Sequence, residues 1–404
     1  MNTLVLALDG FHAGFTGFGG CTWIETPELD ALAAQGVVFD RFFTDRLKLS
    51  AIYDIIWGGK DQTFAQRIEQ MGFKTALFSD TEDVLEHRAS NGFQIIESSL
   101  SEETSPELAD ELEQTRLFET FASLADLIQE LSKSDKPFFC WAHIGSMGRL
   151  WDAPDSYRSQ YCDEGDLPPL NSALVPDVLP VSPEQNAGNA AEPTVTIPIL
   201  QSAAQGDSDE QTPVPDDVKL QLAQTYAGQV NVLDDCLSLL TTDLKQTGLW
   251  DKTALALFST RGIGLGEHGE VGMNYPTFHT EFARLTGLIR APQPLFGPRR
   301  TQALITPADW SSLLESLMAN PESFAFPAGR SRLLSKEDDR RAVQTSAWRY
   351  LYDVGAPHDG QLYVMPDDRW EVNNTSSICE NVIEEILSVT EQSELSELLT
   401  NVYH

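Results

Sequence analysis

Residues Thr253 to Pro292 read TALALFSTRGIGLGEHGEVGMNYPTFHTEFARLTGLIRAP. The opening run, Thr253 to Phe258, is short and apolar, as suits a strand buried on both faces. It stops at Ser259, and a glycine-rich loop follows. Open α/β sheets hold ligands where parallel strands end and loops begin, so a site is expected in this loop. Gly264-Leu-Gly266-Glu-His-Gly269 has the spacing of a dinucleotide fingerprint. That fingerprint needs a helix opening on the glycines and an acidic residue about 20 positions on. Here Glu267-His268 interrupts the glycines, and Val271 to Pro276 is loop-like because Gly and Pro break helices. Dinucleotide binding is set aside on that ground.

Outward from this stretch, strand and helix patterns alternate. Leu4 to Leu8 reads as the first core strand, with Asp9 to Gly14 as the loop at its end. Thr26 is placed to cap a helix with Pro27 at its first position, running Glu28 to Gln35 and stopping at Gly36. Val37 to Phe43 is a strand, Thr63 to Gln70 a helix, Gly72 to Phe78 a strand ending at Ser79-Asp80. Leu108 to Leu131 is apolar at helical spacing, and Phe138 to His143 is another core strand. Leu220 to Thr247 returns to helix, with Tyr226, Val230, Leu233 and Leu237 on one face. Such alternation predicts an α/β fold with a mostly parallel sheet and helices on both faces. Farther on, Ser311 to Met318 is a helix, Trp348 to Asp353 and Gln361 to Met365 are paired strands, and an acidic helix starts near Ile378. A smaller antiparallel subdomain is expected there. The division predicted is 1–295 and 296–404, with a Pro- and acid-rich surface excursion over about 162–217.

Lys plus Arg number 27 against 61 Asp plus Glu, a formal net charge of −34. That field excludes nucleic acid and anionic membrane as partners. It also disfavours an anionic ester unless the site is locally positive. Five cysteines lie far apart without a C-x-x-C, which points to reduced thiols and no structural zinc. No run approaches the roughly 18 apolar residues of a membrane helix, and a cytoplasmic location is expected.

The central stretch resembles the second signature region of the sulfatases, in the alkaline phosphatase superfamily. There a strand ends in Ser-Asp-His-Gly, then come Gly-Glu-His-Gly, Gly-Lys and an Ile-Arg-Ala-Pro-like strand. This chain has Ser259-Thr260-Arg261-Gly262, Gly266-Glu267-His268-Gly269, Gly272-Met273 and Leu288 to Pro292. Thr26 to Phe39, Trp151-Asp-Ala-Pro154, Tyr226 to Asp235 and Thr247 to Asp251 are sulfatase-like as well. The resemblance implies an alkaline phosphatase-like α/β fold and sulfuric ester hydrolysis. The family's metal would be calcium or magnesium held by oxygen ligands.

The functional positions implied by the resemblance are changed one by one. Of the paired Asp after the first strand, Asp9 remains and Gly10 follows. The late metal ligands fall at Thr260 and Arg261, and an arginine cannot ligate a cation. The nucleophile position is Lys48, with Ser50 and Ile52 in place of the family's proline and arginine. Its middle histidine is Met147, and its lysine is Met273. Ser50 reads as the cap of a helix through Ile56, and His143 as a buried supporting residue. Arg261 is expected to replace the metal's charge by pairing with Asp9.

Three readings follow. The first is a catalytically inactive pseudoenzyme that needs no cofactor and binds an anionic small molecule through Arg261 and Lys48, or a protein partner. Another is an ester hydrolase of altered mechanism. It would use Ser50, Thr44 or Thr260 with Asp9, His12, Glu267 or His268, and calcium or magnesium. The last is a structural or assembly component.

Overall fold

The computed structural model describes residues 1–100, 107–175, 214–273, 277–292, 295 and 297–390. Most of the expected excursion, and the chain beyond 390, lie outside the described residues. The main sheet contains β1 (Asn2–Asp9), β2 (Val37–Phe43), β3 (Lys74–Ser79), β4 (Ile95–Ser98), β5 (Phe138–Ile144) and β6 (Thr253–Arg261). Past the short hairpin of β7 (Gly264–Leu265) and β8 (Val271–Gly272), it adds β9 (Arg284–Leu285), β10 (Gly287–Arg290) and β11 (Arg299–Ile305). The order is β11-β2-β10-β6-β1-β5-β3-β4, with β9 beside β2. Within it β10 and β9 pair antiparallel, and the other pairings are parallel.

The two faces follow from the alternation of side chains along each strand. Leu4, Leu6 and Leu8 of β1 pack with Leu29, Leu124, Ile128, Tyr226 and Leu237 on one face. Val5 and Ala7 pack with Tyr53, Trp57, Phe64, Trp310 and Leu314 on the other. Each fully buried Leu, Ile or Phe contributes roughly 1.5–3 kcal/mol through area removed from water. The continuous apolar run of Thr253–Phe258 is thereby explained: β6 is covered by helices on both sides.

Two helix starts differ from expectation. The helix Pro27–Ala33 has Thr26 at its cap position without a side-chain cap. Thr26 Oγ1 instead accepts from Gly17 N at 3.0 Å. The helix's free N–H groups go to Asp234, whose Oδ2 and Oδ1 accept from Glu28 N and Leu29 N at 3.0 and 2.8 Å. The helix Leu49–Trp57 starts two residues earlier than a Ser50 cap requires, with Lys48 at the cap position. Ser50 is an exposed residue within the first turn.

The large layer also extends past residue 295. β11 pairs with β2, and the helix Pro307–Ala319 buries Trp310, Leu313, Leu314 and Leu317 against the main sheet. The expected division at 295 and 296 therefore falls inside this layer. Beyond it β12 (Arg332–Glu337), β13 (Arg340–Thr345), β14 (Trp348–Asp353) and β15 (Gln361–Val364) form a four-stranded antiparallel sheet. A helix over 380–390 covers one face of that sheet through Ile383, Ile386 and Leu387.

Candidate functional site

β1 and β6 run side by side and end together, and an irregularity at that end sets the site. Leu8 pairs with Ser259, but Asp9 pairs with Arg261. Such a bulge sets two residues of one strand against one of its neighbour, so Thr260 and Arg261 both reach Asp9. Arg261 Nε donates to Asp9 Oδ1 at 2.9 Å and Nη2 to Oδ2 at 2.5 Å. Thr260 Oγ1 donates to Oδ1 at 2.6 Å. Burial pushes the Asp9 carboxyl upward, but the guanidinium and the hydroxyl outweigh it and hold the group below the usual carboxylate range.

Gly10 is left-handed, with φ +75, and a Cβ there would lie 2.3 Å from Gly148 Cα. A second carboxylate has no room at this position. Met273 packs onto the same two glycines, since a Cβ on Gly148 would meet its sulfur at 1.9 Å. Met147 and Ile52 are fully buried core residues on opposite faces of the sheet.

The fit to a hard divalent cation can be judged from these donors. Calcium takes six to eight oxygens and magnesium six. Here one carboxylate is present, both its oxygens already accept hydrogen bonds, and a permanent cation sits against it. The residues around Asp9 do not fit calcium or magnesium.

Lys48 does not face this cluster. Its ammonium pairs with Glu337 at 3.0 Å and Asp338 at 3.3 Å, both in the C-terminal sheet region. The expected anion grip by Arg261 and Lys48 is thus corrected: two carboxylates already hold the lysine. Of the suggested hydroxyls, Ser50 is exposed and Thr44 donates to Arg46 O at 2.5 Å. Thr260 is bonded to a carboxylate that the guanidinium makes a poor base.

His143 lies beneath the site and is fully buried. Trp141 Nε1 donates to Tyr53 Oη at 3.3 Å, and Tyr53 Oη is 2.7 Å from His143 Nδ1. Burial takes the His143 pKa down to about 4, so the ring is neutral. His12 Nδ1 accepts from Gly14 N at 2.9 Å, and Nε2 faces Glu267 Oε1 at 3.3 Å.

A second cluster was invisible in the sequence. His268 Nδ1 is 2.8 Å from Glu281 Oε1 and Nε2 is 3.1 Å from the Glu371 carbonyl oxygen. Both partners only accept, so the ring must carry two protons. Burial opposes that charge, but Glu281 and Glu371 prevail and raise the pKa to about 9. His279 stacks on His268 with centroids 3.8 Å apart and planes at 8°, and its Nδ1 meets Glu371 Oε2 at 2.8 Å. Arg349 completes the cluster on Glu371 Oε1. Ligand-type atoms of His268, His279 and Glu371 lie within 4.8 Å of one another, a group that could hold a metal ion. Parallel stacked rings aim their lone pairs in separate planes, and His268 has no lone pair free. The geometry favours a charge-compensated clamp between loop and C-terminal sheet.

A mostly parallel sheet, helices on both faces, a small antiparallel sheet and an acidic residue at the end of the first strand define an alkaline phosphatase-like hydrolase fold. The chain matches the sulfatase family over residues 53–315, well over half its length, and belongs to that family. The fold is similar to that of BT4656, solved with its substrate D-glucosamine-2-N,6-O-disulfate (TM-score 0.70, 16% identity, 97% of each chain). It is also similar to the phosphonate monoester hydrolase of Agrobacterium radiobacter (TM-score 0.68, 14% identity, 97% of this chain and 95% of that one). Among curated proteins, 61 residues are 38% identical to the multifunctional alkaline phosphatase superfamily protein PehA of Trinickia caryophylli. That match spans 14% of this chain and 12% of the relative.

Proposed function

We propose that this sulfatase-family chain is a non-hydrolytic member, which keeps the family's scaffold for binding and has given up ester turnover. One observation carries the reading: the single carboxylate at the end of β1 is held by Arg261 and Thr260. Sulfuric ester hydrolysis in the family relies on a cation and an activated nucleophile to stabilise developing charge. A guanidinium bonded to Asp9 supplies a fixed charge but no exchangeable coordination site. An anionic small molecule or a protein partner is the expected ligand. All five cysteines are free thiols, which supports a reducing, cytoplasmic setting. Among the described residues no helix is long and apolar enough to cross a membrane.

The test is release of nitrophenol from 4-nitrophenyl sulfate and phosphate, with calcium, magnesium, manganese and zinc supplied in turn. The expected result is no release above a heat-denatured control. Metal-dependent turnover that disappears in Thr260→Val or Ser50→Ala would overturn the proposal and favour an altered hydrolase.

A further inference from the structure

The β12–β13 hairpin reaches from the C-terminal sheet to the loop that precedes the helix Leu49–Trp57. Ser335 Oγ donates to Thr44 O at 3.0 Å, and Lys336 N donates to Asp45 O at 3.2 Å. An apolar cluster that includes Leu47, Phe278, Phe282 and Leu351 joins the same two layers. The hairpin is thus seated before its tip is reached. Glu337, the last residue of β12, is nonetheless a buried carboxylate turned toward that loop. Its Oε2 accepts from Leu47 N at 3.0 Å, and its Oε1 lies 3.0 Å from Lys48 Nζ. Asp338 follows in the left-handed region, φ +46, and its Oδ1 is 3.3 Å from the same ammonium.

We infer that Glu337 and Asp338 make an autoinhibitory contact: they fill an oxyanion site formed by Lys48 Nζ and Leu47 N, which an external sulfate or phosphate group gains only by displacing the hairpin tip. An ammonium and a backbone N–H that converge on one carboxylate are the donors that would hold a sulfate or phosphate oxygen. Glu337 is itself an oxyanion bound through both of them. The site adjoins the Asp9 cluster, since Arg261 Nη1 lies 3.5 Å from Leu47 O. The tip is the loose end of the hairpin: the side chains of Lys48 and Asp338 are 61% and 71% exposed, and exposed pairs hold weakly. A tethered carboxylate still competes at a high effective concentration, which shuts out free anions while the tip is in place. The inference rests on the reading that this chain takes an anionic ligand, and adds what keeps that ligand out.

The experiment is thermal unfolding of the full chain at constant ionic strength. Inorganic sulfate, inorganic phosphate and phenyl phosphate are the probes. Wild type, with the tip in place, is expected to gain no Tm through Lys48. The double variant Glu337→Ala, Asp338→Ala should gain Tm saturably with at least one probe, at an apparent affinity about tenfold or more above wild type. A larger gain with phenyl phosphate identifies an ester as the ligand, and the reverse identifies the free anion. Adding Lys48→Ala to the double variant should abolish the gain. If the double variant fails to fold, Asp338→Ala alone, at an exposed residue, carries the test with a tightening of about two- to fivefold. No tightening in the variants that fold, or a gain that survives the loss of Lys48, would overturn the inference and leave the non-hydrolytic reading standing. Ester turnover by wild type would do the reverse.

Discussion

Arg261 holds Asp9 in a two-point grip, Nε to Oδ1 at 2.9 Å and Nη2 to Oδ2 at 2.5 Å, at the end of the two central strands. Both side chains are largely buried. Such a pair is costly to break from one side, because the remaining charge is stranded in a poorly solvated place.

Arg261→Ala is therefore expected to cost about 3–5 kcal/mol of unfolding free energy, read by urea denaturation. The double variant Asp9→Leu, Arg261→Met should recover most of that loss, since neither charge is then left behind. A single variant within about 0.5 kcal/mol of wild type, the range of ordinary surface changes, would show that the pair does not anchor the sheet end.

Alkaline pH should weaken the clamp around His268. Its folded pKa of about 9 lies above the ordinary histidine value of about 6.5. The contribution is fully present below about pH 6.5 and is lost as pH rises through 9. Denaturation midpoints should fall across that window by an amount worth about 1–3 kcal/mol. His268→Gln should flatten the fall; an unchanged slope would remove His268 as its source.

On the acid side the sign reverses for Asp9, whose folded pKa is depressed. Its stabilisation is present above the unfolded carboxylate value near 3.9 and is lost as pH drops through the lower folded value. Asp9→Asn should show a shallower acid-unfolding curve than wild type.

Restoring the second family carboxylate at Gly10 should fail. The left-handed backbone and the approach to Gly148 Cα leave no place for a Cβ. Gly10→Asp and Gly10→Ala are both expected to lose more than about 1 kcal/mol, measured by thermal unfolding, with no gain of ester turnover. A stable, calcium-binding Gly10→Asp would contradict the geometry.

Lys48→Ala should lower the thermal midpoint only slightly, because the lysine is exposed and its buried partner Glu337 keeps the hydrogen bond from Leu47 N. It should also leave any sulfate- or phosphate-induced gain intact. A lost gain would return Lys48 to an anion site.

Removal of divalent ions tests the Asp9 cluster from another direction. Dialysis against EDTA is expected to leave Tm unchanged, and metal analysis to find far less than one calcium or magnesium per chain. A large drop in Tm that calcium reverses would mean a resident ion.

Much of the fold was legible because burial on both faces leaves a direct mark in sequence. Continuous apolar runs at Leu4–Leu8, Phe138–His143 and Thr253–Phe258 became adjacent central strands. The changed site positions could also be named one at a time, since the flanking motifs fixed their places. The caps were harder. Thr26 and Ser50 have the right chemistry for helix starts, yet Asp234 serves the first helix from 206 positions away. The second has Lys48 rather than Ser50 at its cap position, and the Thr63–Gln66 capping box of the next helix forms from local residues.

The sequence by itself determined the order of strands and helices, the sulfatase-like frame and the identity of each altered site residue, because these depend on local periodicity and spacing. Only the tertiary structure decided which charges meet. Arg261 reached Asp9 through a register shift between two strands, and Lys48 went to Glu337 and Asp338. Ion pairing depends on distance and burial across elements far apart in the chain, and neither is written in the spacing of one segment.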